Sequence, residues 1–439
     1  MDIVQKVQDA GVVGAGGAGF PTYIKLKAQA EIYLVNGAEC EPLLKVDQQM
    51  AARDAHLLLR GLELAMQATK AVEGIIALKA KYKEAIAMIT PLLPDNMRIH
   101  ILKDVYPAGD EVITIWMATG RRVPPAGLPL DVGVIVSNVQ TLINVAKAVD
   151  TDQNVTQRVL TVTGAVKNPI TLSLPIGTSY RDALNLAGGS TLSDGNVAFL
   201  NGGPMMGKLM DSLDVPITKT TGGLIALPKD HILIKRRTTD IASIMSMART
   251  VCEQCVLCTE MCPRHLIGHE LPPHLIVRSV NYNHLADPSV LLSALTCSEC
   301  GICEAYACPV EISPMRLNQE LKQTLRAKGA RYSAPIRDVD PMINSRFVPI
   351  PRLISRIDVD AYNVKAPFIE HDFKPAYVTI LLSQHIGAPA QAIVKVGDRV
   401  SKGQCIGIAK ENALSVPVHA SISGLISVVD ELGIKIDAA

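Results

Sequence analysis

The chain has 439 residues, with 43 basic against 42 acidic side chains, 48% hydrophobic content and only 4% aromatics. That length exceeds what one hydrophobic core sustains and implies roughly three domains. The balanced charge excludes an electrostatic case for nucleic acid or an anionic membrane surface, and no apolar run reaches the roughly 20 residues that cross a bilayer.

The first residues place Asp2, Gln5, Lys6, Gln8 and Asp9 where a secretory peptide would have its apolar core, so a cytoplasmic chain is expected. Up to about residue 150, helical and strand patterns alternate, as in an α/β domain. Strands are expected at 32–35, 74–78, 99–102 and 133–136, and one helix over 49–68. From Arg158 the texture changes. Alternation at 159–163, a turn at Lys167-Asn168-Pro169, alternation at 170–174 and a short helix at 180–187 describe a small α+β module. After Lys235-Arg236-Arg237 comes a mostly helical cysteine region that closes with a helix at 315–327. The proline-rich stretch 333–375 reads as a linker or an extended wrapping segment. Short strands at 378–382, 392–396, 405–409, 415–418 and 424–429, punctuated by Gly397-Asp398 and Lys402-Gly403, give the tail an all-β sandwich pattern. The expected divisions are 1–152, 153–232, 233–332, 333–375 and 376–439.

Eight of the ten cysteines fall between Cys252 and Cys308. In a reducing compartment they do not form a disulfide framework. The first run, Cys252-x2-Cys255-x2-Cys258-x3-Cys262-Pro263, matches the bacterial two-cluster ferredoxin spacing position for position. The second, Cys297-x2-Cys300-x2-Cys303-x4-Cys308-Pro309, is one residue longer before its last cysteine. Three thiolates on one tight loop can grip three corners of an iron–sulfur cube. The fourth departs on a helix and is better placed for the other cube. The expected ligand sets are therefore Cys252, Cys255, Cys258 and Cys308 for one [4Fe–4S] cluster, and Cys297, Cys300, Cys303 and Cys262 for the other. Zinc fits poorly, because it favours paired C-x2-C ligands, often with histidine. His265, His269 and His274 are read as polar surface residues, and the isolated Cys40 and Cys405 as small buried hydrophobes.

Near the start stands Gly14-Ala-Gly16-Gly17-Ala-Gly19-Phe20-Pro21-Thr22, a glycine loop running into a possible helix start. Such a loop lets backbone amides approach a phosphate. Glu39 and Glu41 follow about 20 positions later, where a ribose-binding acid would stand.

This loop, with Asn36-Gly-Ala-Glu39-Cys-Glu41-Pro42, Tyr106-Pro-Ala-Gly109-Asp110-Glu111 and Asn138-Val-Gln-Thr141, resembles the FMN-binding subunit of respiratory complex I. It resembles RnfC-type electron carriers more closely still. The resemblance implies an FMN whose phosphate sits on Gly14, Gly16, Gly17, Gly19 and Phe20. Lys25, Asn36, Glu39, Tyr106, Gly109, Asp110, Glu111, Asn138 and Thr141 complete the implied site, with Glu111 beside the nicotinamide. Ala38 and Ser137 depart from the family motif. Ala28 and Ala126 replace the phenylalanines that stack the NADH adenine, which points away from tight NADH binding.

Residues 158–229 resemble a soluble-ligand-binding β-grasp (SLBB) module through Pro175-Ile-Gly177-Thr178 and Asn201-Gly-Gly203-Pro204. The tail resembles a barrel-sandwich hybrid of the biotinyl and lipoyl type through Gly397-Asp398, Val400, Gly403-Gln404, His419-Ala420 and Gly424. Ala413 takes the place of the lysine such domains modify, so no swinging arm is expected. In RnfC carriers the barrel-sandwich piece is N-terminal, whereas here it follows the cysteines. That order resembles the cobalamin reductases of propanediol-utilisation microcompartments. The implied fold is multidomain α/β plus α+β: a Rossmann-like FMN domain, a β-grasp module, a helical two-[4Fe–4S] ferredoxin-like domain and a C-terminal barrel-sandwich hybrid. The implied activity passes electrons from NAD(P)H through FMN and two [4Fe–4S] clusters to cobalamin, with a corrinoid adenosyltransferase and shell proteins as partners. The alternative is an RnfC-like peripheral component of a membrane redox complex.

Overall fold

The computed structural model describes residues 2–282 and 287–439. Strands β1 (Ile32–Asn36), β2 (Glu73–Lys79) and β3 (Met97–Leu102), a two-residue β4 (Val105–Tyr106) and β5 (Val134–Asn138) belong to the N-terminal α/β part. Four of them form a parallel sheet in the order β3-β2-β1-β5. Tyr33, Leu34 and Val35 are fully buried, as expected for a parallel sheet covered on both faces. The helix expected over 49–68 is two helices, Val46–Arg53 and Ala55–Thr69. Asp54 leaves helical geometry at φ −110°, ψ 37°, because a short acidic side chain gives a helix interior little support. Helix Ala55–Thr69 packs tightly on Val139–Thr151, and a Cβ at Gly61 would stand 1.9 Å from the Leu142 carbonyl oxygen.

The α+β module holds β6 (Gln157–Gly164), β7 (Ile170–Pro175), β8 (Val197–Asn201), β9 (Lys208–Met210) and β10 (Gly223–Pro228). They form one mixed sheet in the order β7-β6-β10-β8-β9, with helix Tyr180–Leu186 packed in its core and capped by Ser179. Helices Ile241–Val251, Pro273–Tyr282 and Pro314–Ala327 frame the cysteine region.

The proline-rich stretch wraps rather than dangles. β11 (Val348–Pro349) pairs antiparallel with β4, and helix Ile350–Arg356 buries Ile350, Leu353 and Ile354 in one core with Tyr106, Leu227 and Ile302. The tail forms two small sheets from β12 (Tyr377–Leu381), β13 (Gln391–Ala392), β14 (Arg399–Val400), β15 (Cys405–Ile408), β16 (Val418–His419), β17 (Gly424–Val429) and β18 (Gly433–Ala438). Their orders are β12-β18-β17-β14 and β13-β15-β16. Strands expected at 392–396 and 415–418 shrink to Gln391–Ala392 and Val418–His419. The last strand, β18, was not expected. Its Ile434 and Ile436 fill the tail's core with Val378, Ile380, Ile406 and Val418. Among the described residues no helix is long and apolar enough to cross a membrane.

Candidate functional site

Both cysteine runs are wound the same way. Two residues after the first cysteine of each run, Gln254 (φ 51°) and Glu299 (φ 60°) adopt left-handed backbone, and four residues after it Val256 (φ 66°) and Gly301 (φ 76°) do so again. These reversals curl each C-x2-C-x2-C loop around a centre. The extra residue of the second run is taken up by a π-helical turn, Cys303–Ala307, whose wider i→i+5 winding absorbs one insertion. Cys308 therefore leaves its loop much as Cys262 does, each just before a proline.

The result is two separate thiol-lined cavities. One, of about 300 Å³, is lined by Cys262 together with Cys297, Cys300 and Cys303. The other, of about 420 Å³, is lined by Cys308 together with Cys252, Cys255 and Cys258. Each run lends its last cysteine to the other's cavity. Among the described residues no three metal-ligating side chains converge on a single point; the sulfurs surround room for a polynuclear group. Burial first, then neighbouring thiols, pushes Cys258 up to about 12, and burial does the same for Cys262. A bound metal would reverse this, since a coordinating thiol is deprotonated. Two orphaned polar atoms accompany the smaller cavity: among the described residues Arg264 Nε and Asn318 Oδ1 are buried without partners, and both residues line it. The donor set and these orphans fit an iron–sulfur cluster.

Two of the three histidines depart from the surface reading. His269 is buried, donates from Nε2 to the Val123 carbonyl at 2.9 Å, and is pushed down to about 4 by burial. His274 lines the larger cavity and hydrogen-bonds Thr259. Cys40 and Cys405 are half-buried rather than buried.

The glycine loop lies at the carboxyl ends of β1 and β5, where open α/β sheets bind ligands. Asn36 and Asn138 end these strands as register partners. Ala15 N–H donates to Thr141 Oγ1 at 2.9 Å, and Arg158 Nη2 donates to the Ala15 carbonyl at 2.8 Å, anchoring one end of the loop. The Gly14 amide donates to the Phe20 carbonyl. Between these anchors Gly16, Gly17 and Ala18 are exposed, and a Cβ built on Gly17 meets nothing within 4 Å. The loop is thus an open cradle of backbone amides, which fits a phosphate. Lys25 donates to the Val136 carbonyl at 2.7 Å and pairs with Glu111 at 3.6 Å. Asn36 Nδ2 donates to the Gly109 carbonyl, and Asn138 Nδ2 to Asp47 at 2.8 Å.

Three residues implied for this site are engaged elsewhere. Glu39 accepts from the Val46 and Asp47 amides at 3.0 and 3.1 Å, at the start of a helix. Burial and then the Asp47 charge push Glu39 well above the usual carboxylate range, and burial raises Asp47 as well. Tyr106 is buried and donates its hydroxyl to the Cys300 carbonyl at 2.7 Å. Asp110 caps helix Glu111–Thr119 and also pairs with Arg264 at 2.8 Å. Glu41, the other candidate ribose acid, accepts from the Met205 and Met206 amides in the β-grasp module. Asp47, Arg158 and Arg264 carried no signal in the sequence, because each acquires its role from a partner 91 or more residues away.

Four family models match the chain in order: the Nuo51 FMN-binding domain over 7–147, the SLBB domain over 159–209, the 4Fe–4S dicluster domain over 251–313 and the RnfC barrel sandwich hybrid domain over 362–437. These establish FMN and iron–sulfur clusters as the cofactors and the four-part mixed fold. The chain is 58% identical to "Cobalamin reductase PduS" of Salmonella typhimurium, covering 99% of this chain and 96% of that protein. It is 57% identical to the protein of the same name from Citrobacter freundii, with the same coverage. A component of the Na(+)-translocating ferredoxin:NAD(+) oxidoreductase complex of Acetobacterium woodii is 34% identical over 60% of this chain and 58% of its own length. With near-complete coverage at such identity, the chain belongs to the PduS cobalamin reductase family, a group of flavin and iron–sulfur electron-transfer oxidoreductases.

Proposed function

We propose that this chain takes electrons from NADH or NADPH and delivers them to the cobalt of cobalamin, serving adenosylcobalamin regeneration beside a corrinoid adenosyltransferase. The setting we propose is a microcompartment that degrades 1,2-propanediol. The observation that supports this best is the continuity between the two kinds of site: Tyr106 reaches the Cys300 carbonyl, and Asp110 reaches Arg264, two residues after Cys262.

In this reading the amides of Gly16, Gly17 and Ala18 hold the FMN phosphate. Lys25, Asn36, Asn138 and Thr141 shape the surroundings, with Glu111 beside the nicotinamide. The eight cysteines from Cys252 to Cys308 hold two [4Fe–4S] clusters in the exchanged sets of four. Flavin supplies the interchange between two-electron and one-electron chemistry, and iron–sulfur clusters supply single-electron carriage at low potential. The chain's own residues bind, orient and exclude water. Cys262, Cys297, Cys303 and Cys308 are buried, whereas Cys255 is exposed and leaves one edge of its ring open to an acceptor. Ala28 and Ala126 offer no aromatic faces to a dinucleotide, so its binding rests on polar contacts and is weak.

The test is anaerobic reconstitution, quantitation of iron and flavin, then NADH oxidation in the presence of cob(II)alamin. NADH loss coupled to cobalt reduction supports the reading. A fully loaded protein that reduces an artificial viologen acceptor but leaves cobalamin untouched sinks it.

A further inference from the structure

The two thiol rings have the same ligands but unequal surroundings. The Cys262/Cys297/Cys300/Cys303 ring touches the glycine-loop part of the chain twice: through Tyr106, whose hydroxyl holds the Cys300 carbonyl, and through Arg264, which lines the cavity and pairs with Asp110. Cys40, between Ala38 and Glu41, packs in the same apolar cluster as Cys300 and Tyr106. Among the described residues, the cavity ringed by Cys252, Cys255, Cys258 and Cys308 is lined only by residues between 252 and 314, and its Cys255 is exposed.

We propose that the Cys262/Cys297/Cys300/Cys303 ring is the flavin-side centre and the other the outward centre, and that Arg264, aimed by Asp110, is the positioning residue that raises the flavin-side potential. This rests on the functional reading above. Oxidation of one NADH to NAD⁺ releases one proton and two electrons. Cys262, Cys297, Cys300 and Cys303 would hold a one-electron carrier that takes these electrons singly from the flavin, and Cys252, Cys255, Cys258 and Cys308 would hold the carrier that passes each one on to the acceptor. The Arg264 side chain is only 13% exposed and its partner Asp110 only 10%. Its Nη2 is held by Asp110, while among the described residues its Nε has no partner, so a buried, positively charged N–H stands at the cavity wall. A nearby positive charge favours the reduced, more negative cluster, and net charge is one of the protein's levers on such potentials.

The experiment is a redox titration of the full chain followed by electron paramagnetic resonance, with dithionite and mediators so that NADH turnover is not needed. Arg264→Gln should shift one cluster to lower potential and leave the other unmoved, with Arg264→Lys restoring most of the shift. Asp110→Asn, which removes the opposing charge, should shift the same cluster upward. Shifts of the same sign in both variants, or a shift in both clusters, overturn the role given to Arg264. The order is tested with Cys300→Ala and Cys255→Ala. The outward cluster of Cys300→Ala should be reducible by dithionite but at least tenfold slower by NADH, whereas the flavin-side cluster of Cys255→Ala should keep its NADH-driven rate. The reverse pattern overturns the order. Wild-type protein with iron well below the roughly eight atoms of two cubanes instead removes the functional reading itself.

Discussion

The buried amine of Lys219 donates to the carbonyl oxygen of Gly11 at 2.7 Å, joining the β-grasp part to the start of the chain. The same nitrogen donates to Pro417 in the tail at 3.1 Å, so one side chain fastens three parts of the molecule. A neutral amine has two N–H bonds, and two carbonyls take them. Burial lowers Lys219 to about 7, opposed only by the Cys405 thiol, while His385 and His419 stand nearby and are themselves lowered, chiefly by burial.

The lowered amine gives stability a definite pH dependence. Between about 7 and the ordinary 10.5, the unfolded chain binds the Lys219 proton and the folded chain does not. Stability therefore rises with pH across that window, by at most about 1.4 kcal/mol per unit, and is flat in this respect below it. Lys219→Met should lose that rise and, by stranding two carbonyls, cost about 2 kcal/mol at alkaline pH. Melting temperatures of both proteins from pH 6 to 10 check this. Parallel curves would refute it.

The exchanged thiols make iron content non-additive in a specific way. Cys262→Ala and Cys297→Ala line the same cavity, so the double variant should lose no more iron than either single one, falling from roughly eight to roughly four atoms. Cys252→Ala with Cys262→Ala strikes both cavities and should lose nearly all of it. Were each run to hold its own cluster, these two double variants would trade places. Iron assay and absorbance after identical anaerobic reconstitution decide between them.

Glu41 ties the first motif block to the β-grasp loop by accepting from Met205 and Met206 at 2.9 and 2.7 Å. Gly203 lets it in, since a Cβ there would fall 2.1 Å from Glu41 Oε2. Burial pushes Glu41 up to about 7. Glu41→Ala should cost about 2 kcal/mol and speed hydrogen exchange at Met205 and Met206. Gly203→Ala should do the same, and the double variant should be no worse than either alone. Full additivity would show that the two residues act separately.

The cysteine rings are legible in the sequence because three ligands of each lie within seven residues, where spacing dictates geometry. The glycine loop is legible for the same reason. What escapes is long-range. His269 reads as a surface histidine because its acceptor, Val123, lies 146 residues earlier. Glu39 and Glu41 read as cofactor acids because the amides that occupy them are invisible until the helix at Val46 and the loop at Met205 fold against them. The π-helical turn at Cys303 is visible only as an extra residue, since an insertion in a sequence does not say which winding will absorb it.

Gly17 and Gly19 separate binding from folding within one loop. Both have left-handed backbone, at φ 118° and φ 67°, so alanine costs about 1 kcal/mol at either position from strain alone. Their surroundings differ. A Cβ on Gly19 would sit 2.9 Å from Thr220 Cγ2 and 3.1 Å from the His385 Cα, wedging the loop away from the β-grasp part and the tail, whereas a Cβ on Gly17 projects into open space. Gly19→Ala should therefore lower the melting temperature well beyond the strain cost. Gly17→Ala should melt nearly as wild type yet retain at least tenfold less FMN after dialysis, because its methyl occupies the cradle where a phosphate would approach the amides. Undiminished flavin in a folded Gly17→Ala protein would move the phosphate away from this loop.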